Sequence, residues 1–341
     1  ILMGGTLPLL VAFCTRKYQI FGRELSILYF VNTLGAVLGV LLSGFVTLAL
    51  LGERSTVYLG SFINFSVAIA AYLLYLSQGT GEVEAKFGNS ESNAQRVSPY
   101  EDKIRTFVAT AVFASGLTAL AYEVIWSRQL ILFLGTSIYA FSATLSVFLC
   151  GVAFGSYWVS SFLPAYDKPL FLLGKLQVLM GLFSVALVHL FSALDDPTSI
   201  PGQLLHPEIT ALLGLFALTF LFGAAFPVAS VCFTRSNEDA GQQVGLLYGA
   251  NTMGNIAGSF IGGFLLIPYV GSALSIALLS LVNLTLGGLL IRQEGPTDSR
   301  EKPLLAGLSV LTLFLAAGCL WGDPFLDILR KRVERLAKAQ K

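Results

Sequence analysis

Charge is scarce in this chain. Lysine, arginine, aspartate and glutamate make up 12% of its 341 residues, where soluble proteins carry roughly 25%. The net charge is only +1, and a nucleic-acid partner would call for a basic excess. Histidine occurs twice and cysteine four times. Cys14, Cys150, Cys232 and Cys319 all lie in apolar segments. None forms a CxxC pair, which argues against a zinc site or a disulfide framework. The phosphate-cradling P-loop is missing too, which argues against ATP-driven transport by this chain. No catalytic residue, metal set or cofactor is expected within these residues.

What fills the space is apolar. Hydrophobic residues make up 55% of the chain, and the mean hydropathy is +0.75. Runs of this length and composition read as an all-α polytopic membrane protein with the lipid bilayer as its partner. Spanning helices are expected at Leu25–Leu51, Ser55–Leu76, Thr106–Ser127 (continuing to Leu134), Ser137–Leu163, Pro169–Phe191, Glu208–Phe233, Val244–Pro268 and Ser272–Ile291. The chain opens in the back half of a further helix, which ends near Cys14.

One stretch occurs twice. Ile27–Phe45 reads ILYFVNTLGAVLGVLLSGF, and Leu246–Phe264 reads LLYGANTMGNIAGSFIGGF. The copies align without a gap at an offset of 219 residues. Pro8 falls on Pro227, Thr15-Arg16 on Thr234-Arg235, Tyr29 on Tyr248, Asn32 on Asn251, Gly52 on Gly271 and Asn64 on Asn283. So many identities in register make an internal repeat. Its period is that of half a transporter rather than of a solenoid. Six helices per unit put both copies through the membrane in one direction. That predicts a parallel, MFS-like repeat about an axis along the membrane normal. By the offset, Ile1 corresponds to the middle of a helix, so roughly 110 further residues are expected ahead of it.

The chain then divides as follows. Residues 1–76 are the C-terminal half of the first, incomplete repeat, and 77–105 are a polar inter-repeat linker. Residues 106–291 are the complete second repeat, 292–303 a polar loop, 304–321 an additional apolar helix and 322–341 a basic amphipathic tail. Alternate loops are rich in lysine and arginine, from Arg16 and Lys17 through Arg105, Lys168 and Arg235 to Arg292 and Lys302. These should be cytoplasmic. If 304–321 spans, the basic tail falls on the opposite side. Otherwise that segment is re-entrant.

Small residues recur every fourth position in both copies. They are Gly35, Gly39 and Ser43 in the first, and Gly254, Gly258 and Gly262 in the second. Gly151 and Gly155 repeat the spacing elsewhere. In water such glycines would weaken a helix. In lipid they allow backbones to approach closely, so these positions are expected to pack helix on helix.

The segment Ser115–Ser156 resembles the membrane portion of bacterial fusions between a transporter-like (MFS) part and a spermidine-synthase-like domain. Tyr122-Glu123, Trp126, Arg128, Leu134-Gly135, Tyr139-Ala140-Phe141-Ser142, Gly151 and Gly155-Ser156 carry the resemblance. Leu7-Pro8 and Phe226-Pro227 extend it, each followed by the LY..NT.G...G....GF block. The resemblance covers nearly the whole chain. It implies a bacterial inner-membrane module and a spermidine-synthase-like domain following Lys341. It implies no aminopropyltransferase activity for these residues, which hold no glycine-rich nucleotide loop on a βαβ pattern.

Glu123 is the sharpest single residue, a carboxylate well inside an apolar run, where a charge is costly unless paired or hydrated. It either binds a cationic substrate or relays a proton, or it neutralises a cation and locks packing. Arg128 lies about 140° further around the same helix, which makes direct pairing awkward. Tyr122 adjoins Glu123. Asn32 and Asn251 either line a cavity across the pseudo-axis or bond neighbouring backbones. Lys175 either snorkels to headgroups or touches a substrate. Trp126, Trp158 and Trp321 are expected in aromatic belts.

Three functions follow. The first is a transporter-like module, handling polyamines or small organic cations. The second is the membrane anchor of an aminopropyltransferase. The third is a non-transporting scaffold docked to other membrane subunits.

Overall fold

The computed structural model describes residues 2–18, 21–78, 100–195, 206–236, 239–295, 301–320, 325–328, 330 and 334. They form helices and, among the described residues, no strand. The helices are α1 (Leu2–Tyr18), α2 (Phe21–Leu41), α3 (Leu48–Gln78), α4 (Asp102–Leu134), α5 (Ile138–Ser160), α6 (Pro169–Asp195), α7 (Pro207–Phe233), α8 (Ala240–Phe260), α9 (Ile267–Val270), α10 (Ser272–Glu294) and α11 (Glu301–Gly318). Eight helical stretches are long and apolar enough to cross a bilayer. Residues 79–99 of the expected linker lie outside the described residues. Helix α3 runs to Gln78 and helix α4 starts at Asp102, with Arg105 buried against Phe233 and the start of α8.

The duplicated sequence produces duplicated local structure. Helices α2 and α8 are each 21 residues long. Each passes into a six-residue π-helical segment, Leu42–Thr47 in one and Ile261–Leu266 in the other. A wide turn of this kind marks a local departure from regular helix. Each chain then breaks at a glycine, Gly52 at φ 75° and Gly271 at φ 84°. With ψ near 170° this conformation is essentially closed to residues with a Cβ. The break at Gly52 is the expected turn between two spans.

Within the bundle α4 packs on α8 and α6 on α10, while α5 packs on both α7 and α2. Two apolar clusters stack along its length. One gathers Leu25, Val108, Leu163, Leu170 and Cys232. The other gathers Ile125, Trp126, Phe133, Phe191 and Leu215. Phe222 touches both. Helix α3 lies apart, and residues 57–77 are all exposed.

Glycine contacts differ between the copies. A Cβ on Gly254 or Gly258 would collide with the α4 backbone at Phe113 and Leu117, and one on Gly262 would lie 3.0 Å from Ala121 Cα. Gly151 and Gly155 meet the α7 backbone at Phe216 and Phe220 in the same way. Gly35 and Gly39 have nothing within 4 Å, and Ser43 bonds only its own helix at Val40 O. No described element covers that side of α2. Gly44, next to Ser43, is the residue that meets α5, at Ser142.

Helix α11 runs alongside α6 in the same direction. Lys175 Nζ pairs with Glu301 Oε1 at 2.7 Å, and His189 Nε2 lies 3.0 Å from Leu315 O. The two contacts are fourteen residues apart on both helices, about 21 Å of shared length. The segment is therefore a continuous helix along the bundle, not a re-entrant one. Beyond it, Phe325 meets the Trp126 ring edge-on at 5.9 Å. Trp126 is thus a core residue, 1% exposed between Phe191 and Phe325, rather than part of an aromatic belt. Trp158 is 46% exposed, as an interfacial residue would be. Trp321 lies outside the described residues.

Candidate functional site

Between the two apolar clusters lies a cavity of about 110 Å³. Tyr29 reaches it from the first repeat, and α4, α5, α6, α7 and α8 supply the rest. Its polar lining is Tyr29, Ser115, Gln177, Asn251 and Asn255, and its aromatic wall is Phe148, Phe222 and Phe226. No lysine, arginine, aspartate, glutamate or histidine lines it.

Gln177 is the pivotal side chain. It comes from the first third of α6 and is 1% exposed. Its Nε2 donates to Ser115 Oγ at 3.0 Å, while its Oε1 has no hydrogen-bond partner. Ser115 leads into a buried polar chain. Thr118 Oγ1 lies 3.0 Å from Ser115 O and donates to Asn283 Oδ1 at 2.9 Å. Asn283 Nδ2 reaches Tyr122 OH at 3.5 Å, and Tyr122 OH lies 2.9 Å from Ser184 Oγ. Three helices are tied together by this chain, and it holds the Gln177 amide in place. Such networks rigidify when their members are satisfied, and the open acceptor is the exception here.

The aromatic wall is equally fixed. Tyr29 and Phe226 rings stand 5.3 Å apart, Phe226 and Tyr248 5.8 Å, and Tyr122 and Phe222 6.0 Å. Close approach of α4 and α8 brings the two asparagines in. A Cβ on Gly116 would sit 2.6 Å from Asn251 O and 2.9 Å from Asn255 Oδ1.

The residues expected from sequence are distributed unevenly around this cavity. Asn251 lines it, and Tyr122 supports it through Asn283 and Phe222. Asn32 does not meet Asn251. It lies with Gly35 and Gly39 on the uncovered side of α2 and is exposed. Tyr29, one turn earlier, takes its place at the cavity. Glu123 lies outside the lining. It follows Ala119 by four residues, so it continues the cavity face of α4 one turn onward, and it is half-buried. Among the described residues neither Glu123 nor Arg128 makes an ion pair. Arg128 is exposed and borders a different cleft of about 400 Å³ at the α4–α5 turn, with Ile131, Leu134, Ser137 and Phe141. Lys175 is held by Glu301 and lies 5.5 Å from the Phe171 ring, away from the cavity.

Gln177, Ser115, Asn255, Thr118 and Asn283 carry most of the polar geometry and were not singled out by sequence. Asn283 gave one signal, as a repeat identity with Asn64. Asn64 itself is exposed on α3.

The basic-loop end is closed by a separate polar clamp. Arg105 donates to Asp102, to Phe233 O at 2.6 Å and to Gln243 Oε1 at 3.0 Å. Arg235 pairs with the same Asp102, and its backbone N–H donates to Gln243 Oε1. Nearby, Glu294 accepts from Phe171 N at 2.7 Å and from Tyr100 OH. Burial and the Glu294 hydrogen bond push the Tyr100 phenol well above its ordinary range. These contacts join α4, α6, α7, α8 and α10 at one end of the bundle.

No family model matches the chain, and no solved structure matches it. Among curated proteins it is similar to polyamine aminopropyltransferase 2 of Aquifex aeolicus (strain VF5), with 25% identity over 221 residues. That match covers 63% of this chain and 41% of the relative, so the chain spans less than half of the relative's length.

Proposed function

We propose that this chain is the membrane module of a spermidine-synthase-like protein and acts as a transporter-like, solute-binding unit. The single observation behind this reading is the cavity enclosed by α4 to α8 of the second repeat and reached by Tyr29 of the first, with Ser115, Gln177, Asn251 and Asn255 in its lining. Small-molecule sites are mostly apolar with a few convergent polar groups, and this cavity shares that lining at a volume well below their usual ~300–1,000 Å³. The repeated π segments and glycine breaks at matching positions support a parallel, MFS-like pairing of units. Close glycine contacts between α4 and α8 support GxxxG-type packing as its cement.

Flux of radiolabelled small solutes into vesicles holding the purified protein tests this. Ala119→Phe fills the cavity from α4 and is expected to abolish flux while the protein still folds. Undiminished flux through that variant would remove the cavity from the mechanism.

The similarity to a polyamine aminopropyltransferase favours a second reading, in which the module anchors an enzyme domain in the membrane. For the transporter-like unit, a polyamine cargo would need a carboxylate, and Glu123 is the one that continues the cavity face. Putrescine uptake by wild type that is lost in Glu123→Gln would support that cargo, and no uptake by either would leave the anchor.

A further inference from the structure

The cleft at the turn from α4 to α5 lies apart from the cavity and is larger, about 400 Å³. Gly135 makes the turn at φ 80°, and a Cβ built there would meet nothing within 4 Å. Four features bear on what the cleft holds. The first is charge. Among the described residues, Arg128 is the one charged side chain in the lining, and it makes no ion pair. The second is a set of hydroxyls, Ser127, Thr136 and Ser137, beside that guanidinium in the lining. Ser137 Oγ accepts from Ala140 N at 3.0 Å, which leaves its O–H to donate elsewhere. The third is the walls, which are carbon from Ile131, Leu134 and Phe141, with Phe141 62% exposed. The fourth is depth. Arg105 belongs to the clamp at the basic-loop end, and Arg128 follows it by twenty-three residues on the same helix. That is about 35 Å of helix, slightly more than the ~30 Å hydrocarbon core. The cleft therefore opens at headgroup level, on the face opposite the basic loops.

We propose that this cleft binds one phosphate-bearing membrane lipid, with its phosphate on Arg128 and an acyl chain against Ile131, Leu134 and Phe141. A guanidinium grips phosphate through paired N–H donors, and the neighbouring hydroxyls supply further donors. The lining offers no carboxylate to the ammonium of a zwitterionic headgroup, so a lipid of net negative charge is preferred. Free phosphate presents the same head but leaves the apolar walls unused. The site is independent of the solute cavity and of whatever the module carries.

The test is native mass spectrometry of the full chain in detergent, titrated with phosphatidylglycerol, phosphatidylcholine or inorganic phosphate. One phosphatidylglycerol per chain is expected to bind saturably, more tightly than phosphatidylcholine and at least tenfold more tightly than phosphate. Arg128 is exposed, so Arg128→Gln should fold as wild type does. It should weaken phosphatidylglycerol at least tenfold, as loss of a charge-assisted contact does, and erase the preference over phosphatidylcholine. Arg128→Lys keeps the charge without the planar fork, so it should retain the preference at lower affinity. Ala140→Phe narrows the cleft from the α5 side and should weaken both lipids with the unfolding midpoint unchanged. Phosphatidylglycerol held equally by wild type and Arg128→Gln would overturn the proposal. Lipid binding undiminished in Ala140→Phe would overturn its placement in this cleft. Phosphate bound as tightly as phosphatidylglycerol would overturn the lipid as occupant.

Discussion

Gly39 and Gly258 are the same residue in two copies of one sequence, and they do opposite work. Gly258 is pressed against Leu117 of α4, while Gly39 faces open space. A leucine at 258 must push α4 away, and overpacking of this kind costs about 1–3 kcal/mol. A leucine at 39 meets nothing and replaces a poor helix former with a good one, a gain of up to about 1 kcal/mol. Thermal unfolding in one detergent should therefore show Gly258→Leu well below wild type and Gly39→Leu at or above it. Equal losses at both sites would mean that the first copy's face is also covered. Lys175 invites a similar comparison. Its partner Glu301 is only 23% exposed and its own side chain 29%, so solvent screens the pair incompletely. A double-mutant cycle with Lys175→Met and Glu301→Gln should give a coupling of roughly 1 kcal/mol or more. A coupling near zero would leave α11 held by apolar contact alone.

Helices were legible as elements because the apolar runs are long and the polar breaks short. Their ends were legible where chemistry forces an ending. Gly52 and Gly271 sit at positive φ beyond a π segment, and both were visible as a repeated glycine after a repeated block. Alanine at either position must adopt a backbone that L-residues avoid, at a cost of about 1–3 kcal/mol. The strain is in the backbone, so Gly52→Ala and Gly271→Ala should lower the unfolding midpoint alike, although only Gly271 is packed in the bundle. A loss at 271 alone would show that packing, not φ, makes the glycine necessary. Faces were much less legible than ends. Glycine spacing marked a potential contact surface on both α2 and α8 but not which one is occupied. A lone amide such as Gln177, in an apolar stretch, has no sequence neighbour that shows whether its oxygen is paired. Its partner Ser115 is 62 residues away in sequence. Asn32 was misplaced for the same reason. The repeat made it equivalent to Asn251, but equivalence in sequence does not fix which helix lies opposite. Trp126 looked interfacial because it stands near the expected helix end at Ser127, and the rings of Phe191 and Phe325 that bury it come from distant segments.

At the scale of the whole molecule, charge and packing disagree about the tail. The basic loops at Arg105, Lys168 and Arg235 lie at the end of the bundle where α4, α6 and α8 begin. The positive-inside tendency would place the basic C-terminal segment with them. Packing places it elsewhere. Helix α11 starts beside the beginning of α6, follows it in parallel from Lys175 to His189, and delivers the chain to the far end. There Phe325 and Ile328 are buried in the cluster that includes Trp126 and Phe133, near the last turns of α4. Positive-inside bias acts on short loops and is one influence among several. An ion pair at one end, a histidine–carbonyl contact at the other and a buried aromatic beyond outweigh it here. Single cysteines at Lys103 and Arg330, each in a cysteine-free background, give the readout. Both side chains are exposed, so a membrane-impermeant maleimide added to oriented vesicles should label one and spare the other. Labelling of both from the same side would mean that α11 does not cross the bilayer with α6. The parallel run from Lys175 to His189 would then have to be read as a surface contact.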